Sequence, residues 1–266
     1  MKFPTLFFCL FYFLIYHPIN GQTKDWDGTL KVMTYNVHHC NPPTAAGQID
    51  VEAIAKVISN QNVDLVALQE IDVNTERSGK GKNQAKLLAE LTGMYFYFSK
   101  ALDFQNGEYG VAVLSKFPIV DSLRISLPND SDVKEELRTV AVATVLLPTK
   151  QKILFGSTHL GLTEQSRKLQ SEKLVQNLKS NALPLILAGD FNATPDSRVI
   201  KYLDAYFTRT CAADCAPTIP VENPSKTIDF IMFRNASKLK LQKSFVIDEK
   251  YASDHLPVVA EFKVIR

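Results

Sequence analysis

Six apolar stretches of this chain meet the same kind of polar boundary, and that repetition constrains the fold more than any other feature. It occurs at Tyr35-Asn36-Val37-His38, Leu68-Gln69-Glu70 and Ser157-Thr158-His159-Leu160, and again at Leu187-Ala188-Gly189-Asp190-Phe191-Asn192, Thr227-Ile228-Asp229-Phe230 and Ser253-Asp254-His255-Leu256. Strand ends gather along one rim of a sheet, so these acids, amides and histidines are expected to meet in one pocket. Singly each has a bland reading: Glu70 as a solvated strand end, His159 as a satisfied core histidine. Collectively they are costly to bury without partners, and the like charges repel unless a cation is present. Glu70, Asp190, Asp229 and Asp254 offer hard oxygen ligands, while His159 and His255 change charge near neutral pH. This mixture suits Mg²⁺ or Mn²⁺ and hydrolysis of a phosphate ester. Serine or thiol catalysis finds no support, since the chain has no Gly-x-Ser-x-Gly motif and no activating setting for a cysteine.

The intervening sequence predicts two packed sheets flanked by helices. Residues 30–37 and the continuously apolar run 63–68 read as strands, and residues 49–60 carry Val51, Ile54, Ala55, Val57 and Ile58 at helical spacing. A second helix is expected over residues 83–91, stopping at Gly93. Runs at 94–98, 110–115, 119–127, 139–147 and 152–158 read as an antiparallel series. Residues 163–178 predict a third helix, 185–188 a buried strand, and Thr194-Pro195 the cap and first position of a short helix reaching about Leu203. Runs at 228–233, 240–247 and 256–264 close the set.

The segments 34–39, 66–70, 109–118, 136–141, 158–160, 189–195, 228–231 and 253–258 resemble the ordered motifs of the endonuclease/exonuclease/phosphatase superfamily. Gly-Asp-Phe-Asn followed by Ser-Asp-His-Leu-Pro is the most specific part, and the resemblance runs from Leu30 to Phe262. It implies an α+β fold, a four-layer α/β/β/α sandwich of the deoxyribonuclease I-like kind, with the site at one end of both sheets. It also implies roles: Glu70 as principal metal carboxylate with Asn36 beside it and Asp254 as a further metal-side acid. Asp190 would orient or deprotonate the attacking water. Asn192 would donate to phosphoryl oxygens, and His255, oriented by Asp229, would contact the scissile phosphate. His159 would assist the leaving group and Tyr109 would supply a phosphate-side hydroxyl. Arg138 has two readings, a bidentate phosphate clamp, which is preferred, and an ion pair across the strand. Some relatives carry an acid where His38 stands, which leaves a second metal-side ligand open; His39 is read as a surface histidine. Arg77 and Gln84 are placed in a rim loop, with substrate contact and a structural role weighted equally.

Lys2 followed by the apolar run of residues 3–19 reads as a secretory signal over residues 1–21, ahead of one catalytic domain over 22–266. The competing reading is a retained anchor, which Pro4 and Pro18 disfavour. Removal of Lys2 with the signal lowers the formal charge from +2 to +1. That near-neutral balance lacks the footprint of non-specific binding to long nucleic acid. The expected protein is therefore a secreted or periplasmic monomer without a stable membrane anchor, acting on a small or lipid-linked phosphate ester. A secreted nuclease on DNA or RNA is the alternative, and an inactive binding module on the same scaffold a remote third. Cys211 and Cys215 suit a local disulfide that leaves Cys40 free, with zinc ligation the weaker alternative.

Overall fold

The computed structural model of the chain describes residues 26–234 and 237–265, so the expected signal at 1–21 lies outside the described residues. The order of elements is β1 (Thr29–Asn36), α1 (Val51–Gln61), β2 (Leu65–Val73), α2 (Gln84–Thr92), β3 (Tyr95–Phe104), β4 (Gly107–Ser115), β5 (Ile119–Leu127), β6 (Arg138–Leu146) and β7 (Lys152–His159). It continues with α3 (Glu164–Leu178), β8 (Leu185–Asp190), α4 (Arg198–Asp204), β9 (Thr208–Arg209), β10 (Asp229–Arg234), β11 (Leu239–Val246) and β12 (Val258–Val264). One sheet has the order β11-β12-β1-β2-β4-β3 and the other β5-β6-β7-β8-β10-β9. The expected antiparallel series changes sheet between β4 and β5.

Each sheet has one parallel pair at its centre, β1 with β2 and β7 with β8. A parallel pair needs a crossover, which α1 and α3 supply, and it leaves both carboxyl ends at the same edge. Those four ends carry Asn36, the Glu70 region, His159 and Asp190. The topology thus delivers the sequence pattern to one rim.

Three apolar layers hold the sandwich. Alternate strand residues, among them Val32, Ala67, Val113, Phe155, Ala188 and Phe262, fill the space between the sheets. Ile54, Ile58, Leu88 and Val66 bury α1 and α2 on one outer face, and Leu174, Leu178, Ile200 and Phe230 bury α3 and α4 on the other. Truncating a fully buried ring such as Phe155 would cost about 3–5 kcal/mol. The α/β/β/α arrangement is as the resemblance implied.

The helix ends follow side-chain chemistry. Asp50, Asn83 and Thr163 accept from Ala53, Lys86 and Ser166 amides at the starts of α1, α2 and α3. The expected start of α4 needs correction. Ser197, not Thr194, caps it, accepting from the Ile200 amide at 3.2 Å. Thr194 instead donates its hydroxyl to Asp196, at the head of a turn closed by Ser197 N–H to Thr194 C=O. Other boundaries move as well: β2 runs on to Val73, β3 to Phe104 and β8 to Asp190, β4 starts at Gly107, Leu256 precedes β12, and the short β9 was not expected. Cys211 and Cys215 are disulfide-bonded, and Cys40 is free and buried.

Candidate active site

The rim carries a cavity of about 420 Å³ lined by Glu70, Tyr109, Arg138, His159, Asp190, Asn192 and His255, together with Arg77, Lys134, Glu135, Glu136, Leu162, Ile219 and Ile228. Asp190, at the end of β8, is its hub. Asn36 Nδ2 donates to Asp190 Oδ2 at 3.1 Å and to Glu70 Oε1 at 3.1 Å, so one amide joins the two sheets. The Asn192 amide donates to Asp190 Oδ1 at 2.8 Å, while His159 Nε2 and His255 Nε2 stand 3.5 and 3.8 Å from Oδ2. Gly189 makes the approach of β8 to β7 workable: a Cβ there would run into the Thr158 carbonyl.

Glu70 reaches the cavity through a β-bulge. Leu68 pairs with Ala112 but Ile71 with Gly110, so β2 carries one extra residue against β4, and Glu70 adopts φ +58°. Gln69, the other bulge residue, turns between the sheets and donates to Ser157 Oγ at 3.0 Å.

Electrostatics divide the site into distinct groups. Burial pushes the Asp190 carboxyl up, as does the neighbouring Asp229; His255, the Asn192 amide and Asn36 pull it back, leaving it at about 7. Burial alone would lower His255, but the charge and hydrogen bond of Asp229, with Asp190 and Asp254, raise it to about 10. The bond concerned runs from His255 Nδ1 to Asp229 Oδ2 at 2.9 Å, and Thr218 Oγ1 donates to the same oxygen at 2.5 Å. His159 behaves oppositely. Burial and the adjacent Arg138 hold it well below the ordinary histidine value. A guanidinium can only donate, so Arg138 Nη1, 3.2 Å from His159 Nδ1, fixes the neutral tautomer with its proton on Nε2, facing Asp190. Burial would raise Glu70, but the neighbouring His39, the Asn36 amide and protonated His255 bring its carboxyl below the usual range, so it is ionised.

The donor chemistry suits a divalent cation. Glu70 is an ionised oxygen donor beside Asn36, and the buried Nδ1 of His39 has no hydrogen-bond partner and lies 3.8 Å from Glu70 Oε2. Asp190, Asp229 and His255 form another group whose donor atoms fall within 4.8 Å of one another. There Asp229 Oδ2 is already taken by His255 and Thr218, so that trio reads first as a proton-holding relay.

Most residues singled out in the sequence converge. Asp254 stands outside the cavity lining, half-buried, its Oδ1 3.4 Å from Ser253 Oγ and its charge favouring protonated His255. Tyr109 is buried on the cavity wall, and burial pushes its hydroxyl pKa well up. Arg138 lines the cavity and pairs with Glu136, two residues earlier in the chain, at 3.3 Å. Arg77 lines the cavity, clamps buried Asp72 at 2.7 and 3.0 Å, and stacks on Phe104 at 4.6 Å. Gln84 is a structural post: it accepts from the Asp72 amide and donates to the His39 carbonyl. His38 is tied back to the Asn41 carbonyl at 2.9 Å. The reading of His39 as a surface residue is corrected, since its turn folds the ring against Glu70. Lys134, Leu162 and Ile219 were not singled out. The His38-His39 doublet after a strand end is a sequence signal for the first miss; the loop residues carry none.

The chain matches the profile described as the Endonuclease/Exonuclease/phosphatase family over residues 33–255. It is 28% identical over 255 residues to the uncharacterized protein YbhP of Escherichia coli K12, covering 90% of this chain and 98% of that one. Among solved structures it is similar to an endonuclease/exonuclease/phosphatase from Beutenbergia cavernae, with a TM-score of 0.75 and 24% identity, covering 89% of this chain and 72% of that one. It is also similar to a mannosyl-6-phosphatase from Bacteroides thetaiotaomicron, with a TM-score of 0.71 and 18% identity, covering 88% and 99%.

Proposed function

The chain belongs to the endonuclease/exonuclease/phosphatase family, whose members hydrolyse phosphate esters and generally use a divalent metal, and from that premise we propose that it is an exported, Mg²⁺- or Mn²⁺-dependent hydrolase of a small or lipid-linked phosphate ester. The observation that carries this reading is the convergence on Asp190 of Asn36, His159, His255 and the Asn192 amide within one cavity that also contains Glu70.

Glu70 and Asn36, with Asp254 at the edge, are the groups to hold the cation, which when bound neutralises phosphate oxygens and charge on the leaving oxygen. Asp190 takes the proton of the attacking water; a carboxyl near 7 is well matched to that work at neutral pH. Protonated His255 donates from Nε2 to the phosphate while Asp229 fixes its ring. One amide hydrogen of Asn192 is committed to the Leu160 carbonyl, which leaves the other for a phosphoryl oxygen. Arg138 adds positive charge and presents His159 with its Nε2 proton toward the leaving group.

A cavity of about 420 Å³ with Leu162, Ile219 and Ile228 in its wall suits a compact ester carrying some apolar surface. The Bacteroides mannosyl-6-phosphatase is an instance of the same fold acting on a sugar phosphate. The test is hydrolysis by the purified protein with Mg²⁺, Mn²⁺ or EDTA, against bis-p-nitrophenyl phosphate, a set of phosphomonoesters, plasmid DNA and RNA. EDTA-sensitive turnover of small esters without plasmid nicking is expected. Nicking at low protein concentration would overturn the choice of substrate in favour of a nuclease, and a folded protein without any turnover would overturn the enzymatic reading. Export is tested by following the tagged chain in cell fractions, where retention at full length in the cytoplasm would oppose it.

A further inference from the structure

His39 is held in an unusual place. His38, His39 and Cys40 adopt φ of +46°, +43° and +58°, three successive side-chain-bearing residues in the left-handed region. That conformation is unfavourable for L-residues and persists only where the surroundings enforce it. Here they do: the Cys40 amide donates to the Val37 carbonyl at 2.7 Å, buried Gln84 donates to the His39 carbonyl at 2.6 Å, and the Cys40 side chain is fully buried. The turn delivers the His39 ring to Glu70. Its Nδ1 is buried, has no hydrogen-bond partner, and lies 3.8 Å from Glu70 Oε2. A buried ring nitrogen without a partner calls for an explanation. Two donors to one cation with bonds of about 2.1 Å stand between about 3 and about 4 Å apart, a range that contains this separation.

We infer that His39 Nδ1 is a nitrogen donor to the same cation that Glu70 holds, so that the site favours Mn²⁺ over Mg²⁺. The inference rests on the cation site proposed above and adds a ligand and a preference to it. An imidazole suits a first-row transition ion, whereas Mg²⁺ favours an all-oxygen shell.

The test is pulsed electron paramagnetic resonance of the full chain loaded with Mn²⁺ alone. Directly coordinated ¹⁴N is expected in the echo modulation of the wild type, replaced by ¹⁵N coupling when histidine is labelled. His39→Asn keeps a residue that tolerates the left-handed region. It should lose the coupling and weaken Mn²⁺ binding about tenfold or more, with a smaller change for Mg²⁺. Because this variant risks misfolding, His38→Asn, His159→Asn and His255→Asn give an independent route. Coupling that survives all three leaves His39 as its source among the described histidines. A nitrogen-free wild-type echo, or coupling that survives in His39→Asn, would overturn the inference. If Mn²⁺-dependent ester hydrolysis accompanies a nitrogen-free echo, the proposed function stands and only this ligand falls. Absence of Mn²⁺ binding would overturn this inference, and absence of binding of either Mn²⁺ or Mg²⁺ would overturn the proposed function as well.

Discussion

Asp229 Oδ2 accepts the Nδ1 proton of His255 at 2.9 Å, and this bond fixes both the orientation and the charge of the imidazole. His255 titrates near 6.5 in an unfolded chain and at about 10 in the folded one. The raised folded value means that the stability it contributes is complete below the unfolded pKa and is lost as pH rises through the folded one. Asp190, raised from 3.8 to about 7, has the same sign in a lower window, its contribution being lost between about pH 4 and about pH 7. Wild type should therefore lose thermal stability steadily from about pH 6.5 to about pH 10, and Asp229→Asn should flatten that slope. Equal alkaline slopes in melting experiments on the two proteins would refute the assignment.

Asp190→Asn keeps the shape of the hub and removes its basic oxygen. Ester hydrolysis should fall by about 10²- to 10⁴-fold, the range for loss of a general base. The melting temperature should hold or rise, because a buried carboxyl crowded by Asp229 becomes a neutral amide. Retention of activity within a factor of about ten would remove Asp190 from the proton transfer.

Arg138→Met keeps the length and apolar stem of the side chain but deletes the donor to His159 Nδ1. A buried acceptor left without its partner costs about 1–3 kcal/mol, and the His159 proton is then free to move between the ring nitrogens. Nitrogen NMR should show the Nε2-protonated tautomer in the wild type and a mixture in the variant. An unchanged tautomer would mean that another group sets it.

Gly189→Ala places a methyl against the Thr158 carbonyl, which belongs to the β7 backbone and cannot step aside. Stability should fall by about 1–3 kcal/mol and activity with it. Gly156→Ala is the matched control on β7, because its added methyl meets the Leu187 Cδ1 side-chain atom at 3.0 Å. It should be milder in both measurements, and a reversed order would contradict the close approach inferred for β8.

Much of this was legible in the sequence because strand chemistry and site chemistry coincide. Asn36, His159 and Asp190 each sit where an apolar run stops, and the parallel pairs carry them to one edge. What was illegible arises where backbone conformation, not residue type, decides. His39 reaches Glu70 through a left-handed turn that no period of two or of 3.6 encodes. The start of α4 was misplaced because Thr194-Pro195 satisfies the cap rule locally, while three residues later Ser197 aligns with the Ile200 amide. The change of sheet between β4 and β5 left no mark either, since both strands read as members of one antiparallel run.

The extra residue in β2 also says something about how such a rim can be altered. Before the bulge, Leu65 and Ala67 face the opposite sheet; after it, Ile71 packs under the helices. Deleting Gln69 would restore the interrupted alternation and carry Glu70 to another face, with no remaining side chain in the strand substituted. The reach of this carboxylate is therefore a matter of counting along the chain. Transplanting the chemistry to a sibling scaffold would take an insertion before any substitution.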